Sequence, residues 1–353
     1  MKRVISVVFA TLLLAIIAFL AHGCYSQIKK ADCDSTTISV FCDDASTVNL
    51  EKQKAIPLST SEPLGQIEHV EFLRNLILIH ASGKLTAFDL ASGDSLCQYS
   101  RKGRSQKEYI SLWAFNVYGE KVMLYDLSGG KIMVYSQDGI WDKNIDLKRE
   151  QPTFQAFAQL DEDLTIGKRR YEGMETIELS LWDKEFNYVG DLESGQTIHS
   201  GIMLTYPFAK TIEGNVLYTR YFQNEIYELS PERIHLKYSI DFGTRTLKQL
   251  HDVKDEYEAL ELFNQSHHKA SFISNVYEDK ESVAFFFLMS PEGAAYAVYN
   301  KAQNKASVYR FHSEEEIAHV STHKNECFVI TQNIKGESFL YRIPLGWFPK
   351  ETI

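Results

Sequence analysis

Apolar and polar residues alternate in short runs from Ile67 almost to the C-terminus, and turn residues separate the runs. Period-two alternation bounded by Gly, Asn, Asp or Ser predicts half-buried strands. Five phrases repeat the strand–turn–strand pattern most clearly: Leu85-Thr-Ala-Phe-Asp-Leu-Ala-Ser-Gly, Ile132-Met-Val-Tyr-Ser-Gln-Asp-Gly, Leu179-Ser-Leu-Trp-Asp-Lys-Glu-Phe, Ile226-Tyr-Glu-Leu-Ser-Pro-Glu-Arg and Ala297-Val-Tyr-Asn-Lys-Ala-Gln-Asn. Residues 67–99, 112–147, 154–192, 208–240 and 273–311 each read as four strands, and 317–343 reads as three.

The third strands of successive groups start 47, 46 and 48 residues apart, then 71, then 43. The excess lies in residues 245–268, where Leu247, Leu250, Val253 or Lys254, Tyr257, Leu260 and Phe263 recur at three to four residues with charge between them. That spacing predicts one amphipathic helix. Four strands per repeat of about 40–50 residues is the signature of propeller blades. The sixth group lacks its fourth strand, and the isolated run 54–58 can supply it, which closes the ring and removes exposed sheet edges. The expected fold is an all-β, six-bladed β-propeller over residues 54–353, with one helical insertion and a last blade closed by an N-terminal strand. A seventh blade would have to hide in residues 25–50, which are too few. A two-sheet sandwich, the alternative, does not explain the period.

The N-terminus reads as an export signal over residues 1–23: Lys2 and Arg3, then an apolar run 4–20, then Ala21-His-Gly-Cys24. The preferred reading is a lipoprotein signal, cut before Cys24, which then carries lipid. Ordinary secretory cleavage nearby is the second reading, and a retained membrane anchor the third, because 17 apolar residues sit at the lower limit for spanning a bilayer. Residues 24–53 are polar, lack strong periodicity, and read as a tether.

Composition adds constraints. With 44% hydrophobic and 24% charged residues the 353-residue chain is ordinary for a globular protein. Its net charge of −10 argues against nonspecific nucleic-acid binding. Beyond Cys24 four cysteines remain, Cys33, Cys42, Cys97 and Cys327. In an exported protein Cys33 and Cys42 are the candidate disulfide, with free thiols as the alternative. Cys97 and Cys327 read as small buried hydrophobes.

The stretch Tyr99-Ser-Arg-Lys-Gly-Arg-Ser-Gln-Lys-Glu-Tyr109, leading to Val134-Tyr-Ser-Gln-Asp-Gly-Ile-Trp141, resembles the TolB-like six-bladed propeller lipoproteins common in Bacteroidetes. Those proteins carry a Gly-Arg-Lys-Gly-x-Gly-Pro-Gly-Glu-Phe/Tyr loop between blades one and two. Here Ser100 replaces the first Gly, and Ser105-Gln106-Lys107 replaces the Gly-Pro-Gly turn. The resemblance implies a propeller in the cell envelope, at the outer membrane or its periplasmic face. It implies no reaction and no catalytic residues.

Candidate chemistry gathers on one rim. Arg101, Lys102, Arg104 and Lys107 with Glu108 and Tyr109 connect an outer strand to the next innermost strand. Arg169, Arg170 and Tyr171, then Arg220, Tyr221 and Phe222, then Tyr206 and the pair His267-His268, fall in loops expected on the same rim. Convergent Arg and aromatic groups suit a glycan, peptide or protein ligand; the structural alternative is a set of solvated loops. His319 and His323 would chelate a metal on a helix, but the segment reads as a strand and separates them by about 13 Å. No metal or cofactor is implied. The expected function is a non-catalytic envelope module that binds an envelope protein, a peptide or a glycan. The alternative is a glycan hydrolase or lyase at the channel mouth, which needs converging carboxylates or a Tyr/His acid–base pair. The insertion helix is a further candidate docking element.

Overall fold

The computed structural model describes residues 35–99, 101–169, 178–192, 206–220, 223–247, 253 and 256–347. Three strands precede the first blade: β1 (Thr36–Ser39), β2 (Ser46–Asn49) and β3 (Ala55–Leu58). Blade 1 comprises β4 (Ile67–Leu73), β5 (Leu76–Ala81), β6 (Lys84–Asp89) and β7 (Ser95–Gln98). Blade 2 is β8 (Leu112–Tyr118), β9 (Lys121–Asp126), β10 (Lys131–Ser136) and β11 (Trp141–Asp146). Blade 3 is β12 (Phe154–Gln159), β13 (Leu164–Arg169), β14 (Leu179–Asp183) and β15 (Tyr188–Leu192). Blade 4 is β16 (Phe208–Lys210), β17 (Val216–Thr219), β18 (Glu225–Leu229) and β19 (Ile234–Asp241). Blade 5 follows a helix, α1 (Glu256–Gln265), and is β20 (Lys269–Glu278), β21 (Ser282–Ser290), β22 (Gly293–Asn300) and β23 (Lys305–His312). Blade 6 is β24 (Glu316–His323), β25 (Glu326–Gln332) and β26 (Ser338–Pro344).

Consecutive strands pair antiparallel within each blade, and the innermost strands β4, β8, β12, β16, β20 and β24 touch their neighbours around a closed ring. The alternation in the sequence is what divides each blade between two neighbours. All six residues of β5 are buried. Leu76 and Leu78 join the apolar cluster shared with blade 2, while Ile77 and Ile79 join the one shared with blade 6. Successive strand side chains point to opposite faces, so a strand pressed between two blades is buried at every position. One such cluster fills each of the six interfaces between adjacent blades. The outermost β7 and β11 face solvent and keep mostly exposed or half-exposed residues.

The described part of the expected tether, residues 35–53, carries two strands of its own. β1 pairs parallel with β19, from Thr36 opposite Tyr238 to Ser39 opposite Asp241. β2 pairs parallel with β23, from Ser46 opposite Tyr309 to Asn49 opposite His312. β3 pairs antiparallel with β26 and forms the fourth strand of blade 6. Residues 36–58 are thus a strap across the outer edges of blades 4, 5 and 6. Its composition hid this: each of β1 and β2 buries a single residue, Ile38 and Val48, and one apolar residue in four leaves no visible period. Beyond β3, the Ser59 amide donates to the Gly93 carbonyl at 2.9 Å, tying the closing strand to blade 1.

The helix is shorter than residues 245–268. It buries Ala259 and Phe263 against Leu247 and Phe272, and Tyr257, expected on the apolar stripe, is 67% exposed. Leu250 lies outside the described residues. Cys42 is a buried free thiol, pushed up to about 11 by burial, and no disulfide joins the described cysteines; Cys33 and Cys24 lie outside them, as does the leader. Cys327 is buried, whereas Cys97 is only half-buried.

Candidate functional site

The second halves of the innermost strands converge on a cavity of about 300 Å³ along the ring axis. Those strands run in one direction around the ring, so the turns that follow them open on one face. That face is opposite to the rim where the Arg-rich loops were expected.

β4 supplies the single carboxylate among the described cavity residues. Alternation turns Val70 and Phe72 toward blade 6 and His69 and Glu71 the other way. One Glu71 oxygen, Oε1, accepts from His69 Nε2 at 3.0 Å and from Asn116 Nδ2 at 3.2 Å; the other, Oε2, accepts from the Val117 amide at 2.8 Å. Tyr206, just ahead of β16, lines the same space. Its ring stacks on His69 with centroids 3.7 Å apart, and its hydroxyl donates to the Phe157 carbonyl. Burial pushes this phenol well above its ordinary pKa.

Lys210 closes another side. Its ammonium stands 4.4 Å over the Tyr118 ring. Burial lowers its pKa, and the Glu71 charge pulls it partly back. From β24, His323 stacks flat on Phe72 at 4.6 Å, and burial together with Lys324 pushes it down to about 4. The His323 Nε2 and the Ser321 hydroxyl are buried with no hydrogen-bond partner. β20 reaches the cavity through two register shifts, with Phe272 and Asn275 at φ of 63° and 48°. Bulges and left-handed non-glycine residues of this kind cluster at functional sites. Here they set Asn275 where its amide donates to the Val320 carbonyl at 2.7 Å. Tyr277 donates to Asp279 at 2.9 Å.

Of the described residues singled out from the sequence as ligand candidates, all but Tyr206 fall outside this lining. Arg101 is exposed and its Nε donates to Glu108 Oε1 at 2.7 Å, while Glu108 Oε2 accepts from the Ser105 amide at 2.9 Å. Those bonds hold Glu108 down at about 2 and fold the loop on itself. Lys102, Arg104 and Lys107 are exposed, and Lys107 sits 5.0 Å over Trp141. The depression beside them, lined by Gln98, Arg101 and Ser105–Glu108, is open surface. Tyr109 is a core residue, 2% exposed, donating to the Gly83 carbonyl at 2.9 Å. Arg220 is buried and donates to Glu178 at 2.8 Å and to the Tyr227 hydroxyl at 3.1 Å. Arg169 faces Asp191 at 3.8 Å. His267 is exposed after α1, and His268 lies 3.4 Å from Glu292. Arg170, Tyr171, Tyr221 and Phe222 lie outside the described residues.

The cavity residues absent from the sequence reading are Glu71, Asn116, Lys210, Asn275 and Ser321, and His323 was weighed there only as a metal ligand. Each is a polar interruption in an innermost strand or at its end, and that signal was available once the innermost strands were assigned. His319 and His323 do stand on a strand, as the spacing predicts. Among the described residues no group of three or more His, Cys, Asp or Glu is placed to hold a metal ion, and no helix is long and apolar enough to cross a membrane.

A closed ring of six four-stranded repeats around a polar axial cavity defines the molecule as a six-bladed β-propeller. The chain belongs to the family described as Domain of unknown function (DUF4934), whose profile spans residues 27–339. Its fold is similar to that of a candidate exported protein of Bacteroides fragilis, with a TM-score of 0.69 and 17% identity over 88% of this chain and 99% of that one. It is also similar to a member of the DUF4221 family from Bacteroides vulgatus, with a TM-score of 0.58 and 9% identity over 83% of this chain and 96% of that one. No curated protein matches the sequence. At these identities the likeness speaks for the fold alone.

Proposed function

We propose that the chain is an exported, non-catalytic binding propeller of the cell envelope, held to the membrane by lipid at Cys24, and that it receives a small ligand or a chain end in the axial cavity. The leader, the Cys24 context and the exported character suggested for the Bacteroides fragilis relative support the location. The observation that carries the binding reading is the state of Glu71. It is the one carboxylate among the described cavity residues, and three donors already hold it. Glycoside hydrolysis uses two carboxylates, one of which must exchange a proton, and among the described lining residues there is neither a second acid nor a free one.

The test is a thermal-shift panel of monosaccharides, disaccharides and dipeptides on the wild type and on Ile212→Trp. Ile212 lines the mouth and is 58% exposed, so the larger ring obstructs entry without disturbing the core. A ligand of this site raises the melting temperature of the wild type, loses that effect in Ile212→Trp, and is recovered with unchanged mass. Recovery of a cleaved or unsaturated product would establish the enzyme instead. Equal shifts in both proteins would move the site away from the channel.

A further inference from the structure

The cavity's hydrogen-bonding groups divide into those already engaged and those left open. Glu71, Asn275 and Tyr277 are bonded as described, and the Thr322 hydroxyl is shared with Tyr296. The open set is the Lys210 ammonium, which has no hydrogen-bond acceptor among the described residues, with the Ser321 hydroxyl and the His323 Nε2. Lys324 stands at the mouth, exposed, with only a 3.4 Å contact to the Arg74 carbonyl. Lys210 and Lys324 against Glu71 leave one unbalanced positive charge in the lining. The acidic turn Asp161–Glu162–Asp163 acts on Tyr118 but is not part of that lining. Beside the open donors lie apolar surfaces, the stacked Phe72–His323 pair and Ile212.

A half-buried ammonium without a hydrogen-bonded anion is the least satisfied group in such a site, and a carboxylate that bonds to it is its natural complement. A single negative charge matches the imbalance; a phosphate dianion exceeds it and would face Glu71. The volume suits one sugar ring or a dipeptide. We infer that the cavity binds the carboxylate of a small organic acid, with Lys210 as the anchor, Ser321 and His323 beside it, and the body of the ligand against Phe72 and Ile212. This rests on the binding reading above. The acid can come from two sources, a peptide C-terminus or a uronic acid.

Titration calorimetry on the full chain with glucuronic acid against glucose, and with the dipeptide Ala-Phe against its C-terminal amide, separates the sources. The expected result is that one acid binds roughly tenfold or more tightly than its neutral counterpart. Lys210→Met erases that preference, and Lys210→Arg retains most of it. A melting curve for Lys210→Met no lower than the wild type's shows that the loss is not unfolding. Equal binding of acid and neutral forms, a preference that survives Lys210→Met, or no binding of either acid at about 10 mM overturns the carboxylate assignment. The binding reading fails separately, when Ile212→Trp leaves every ligand of the panel unaffected.

Discussion

The Tyr206 and His69 rings stack with centroids 3.7 Å apart and planes 21° apart, although Tyr206 leads into blade 4 and His69 belongs to blade 1 on the opposite side of the ring. The stack therefore spans the axis and joins two blades that share no sheet. Tyr206→Ala removes a side chain that is 6% exposed and should cost about 3–5 kcal/mol. Tyr206→Phe keeps the stack but strips the Phe157 carbonyl of its donor, at about 1–2 kcal/mol. Urea unfolding of both variants measures the difference. Equal losses would mean that the hydroxyl, not the ring, makes the connection.

Arg220 shows how a residue suited to ligand binding is used by the fold. Its guanidinium and the Glu178 carboxylate are 9% and 4% exposed and 2.8 Å apart, and Tyr218 also donates to Glu178. Removing one charge of a buried pair leaves the other uncompensated, so Arg220→Met should cost about 3–5 kcal/mol. Adding Glu178→Gln should restore much of that loss. A single variant as stable as the wild type would return Arg220 to the list of ligand residues.

The blade period was legible because strands squeezed between neighbours are apolar on both faces and turns interrupt them at a fixed interval. Leu76-Ile-Leu-Ile79 is such a run. The strap's first two strands, β1 and β2, were not legible, because a four-residue edge strand needs only Ile38 or Val48 to hold it. The rim residues are a different case. Arg101, Arg220 and Tyr109 have the chemistry of ligand residues; Glu108 stands in the same loop as Arg101, but Glu178 and the Gly83 carbonyl come from positions that sequence alone does not place beside Arg220 and Tyr109. In the cavity, by contrast, Glu71 and Lys210 look like single charges in strands, and only ring closure brings them to one axis.

Acid should loosen the ring. Burial pushes His80 and His319 down to about 3 and His323 to about 4. His69 bears on both His80 and His319, Glu68 lies 3.2 Å from His80, and Lys324 bears on His323. An unfolded histidine takes up its proton near pH 6.5, whereas these three do so only well below that. Between the two values the unfolded chain binds more protons, so stability is complete above about pH 6.5 and falls as pH drops toward 4. The urea midpoint should decrease from about pH 7.5 to about pH 5, and the decrease should be smaller in His319→Gln. A midpoint independent of pH over that interval would show that these imidazoles are protonated in the fold.

Ring closure can be tested at Gly93. Its φ is +78°, and a Cβ there would stand 2.1 Å from the Pro57 carbonyl oxygen of β3. Gly119 has a φ of +59° with nothing within 4 Å of its Cβ position, so it isolates the cost of the backbone conformation. Gly119→Ala should cost about 1 kcal/mol. Gly93→Ala adds displacement of β3 from blade 1 and should cost about 3 kcal/mol in all. It should also speed proteolysis within residues 55–59, because the strand that completes blade 6 is the one pushed out. Equal costs for the two alanines would mean that β3 does not hold blade 6 to blade 1.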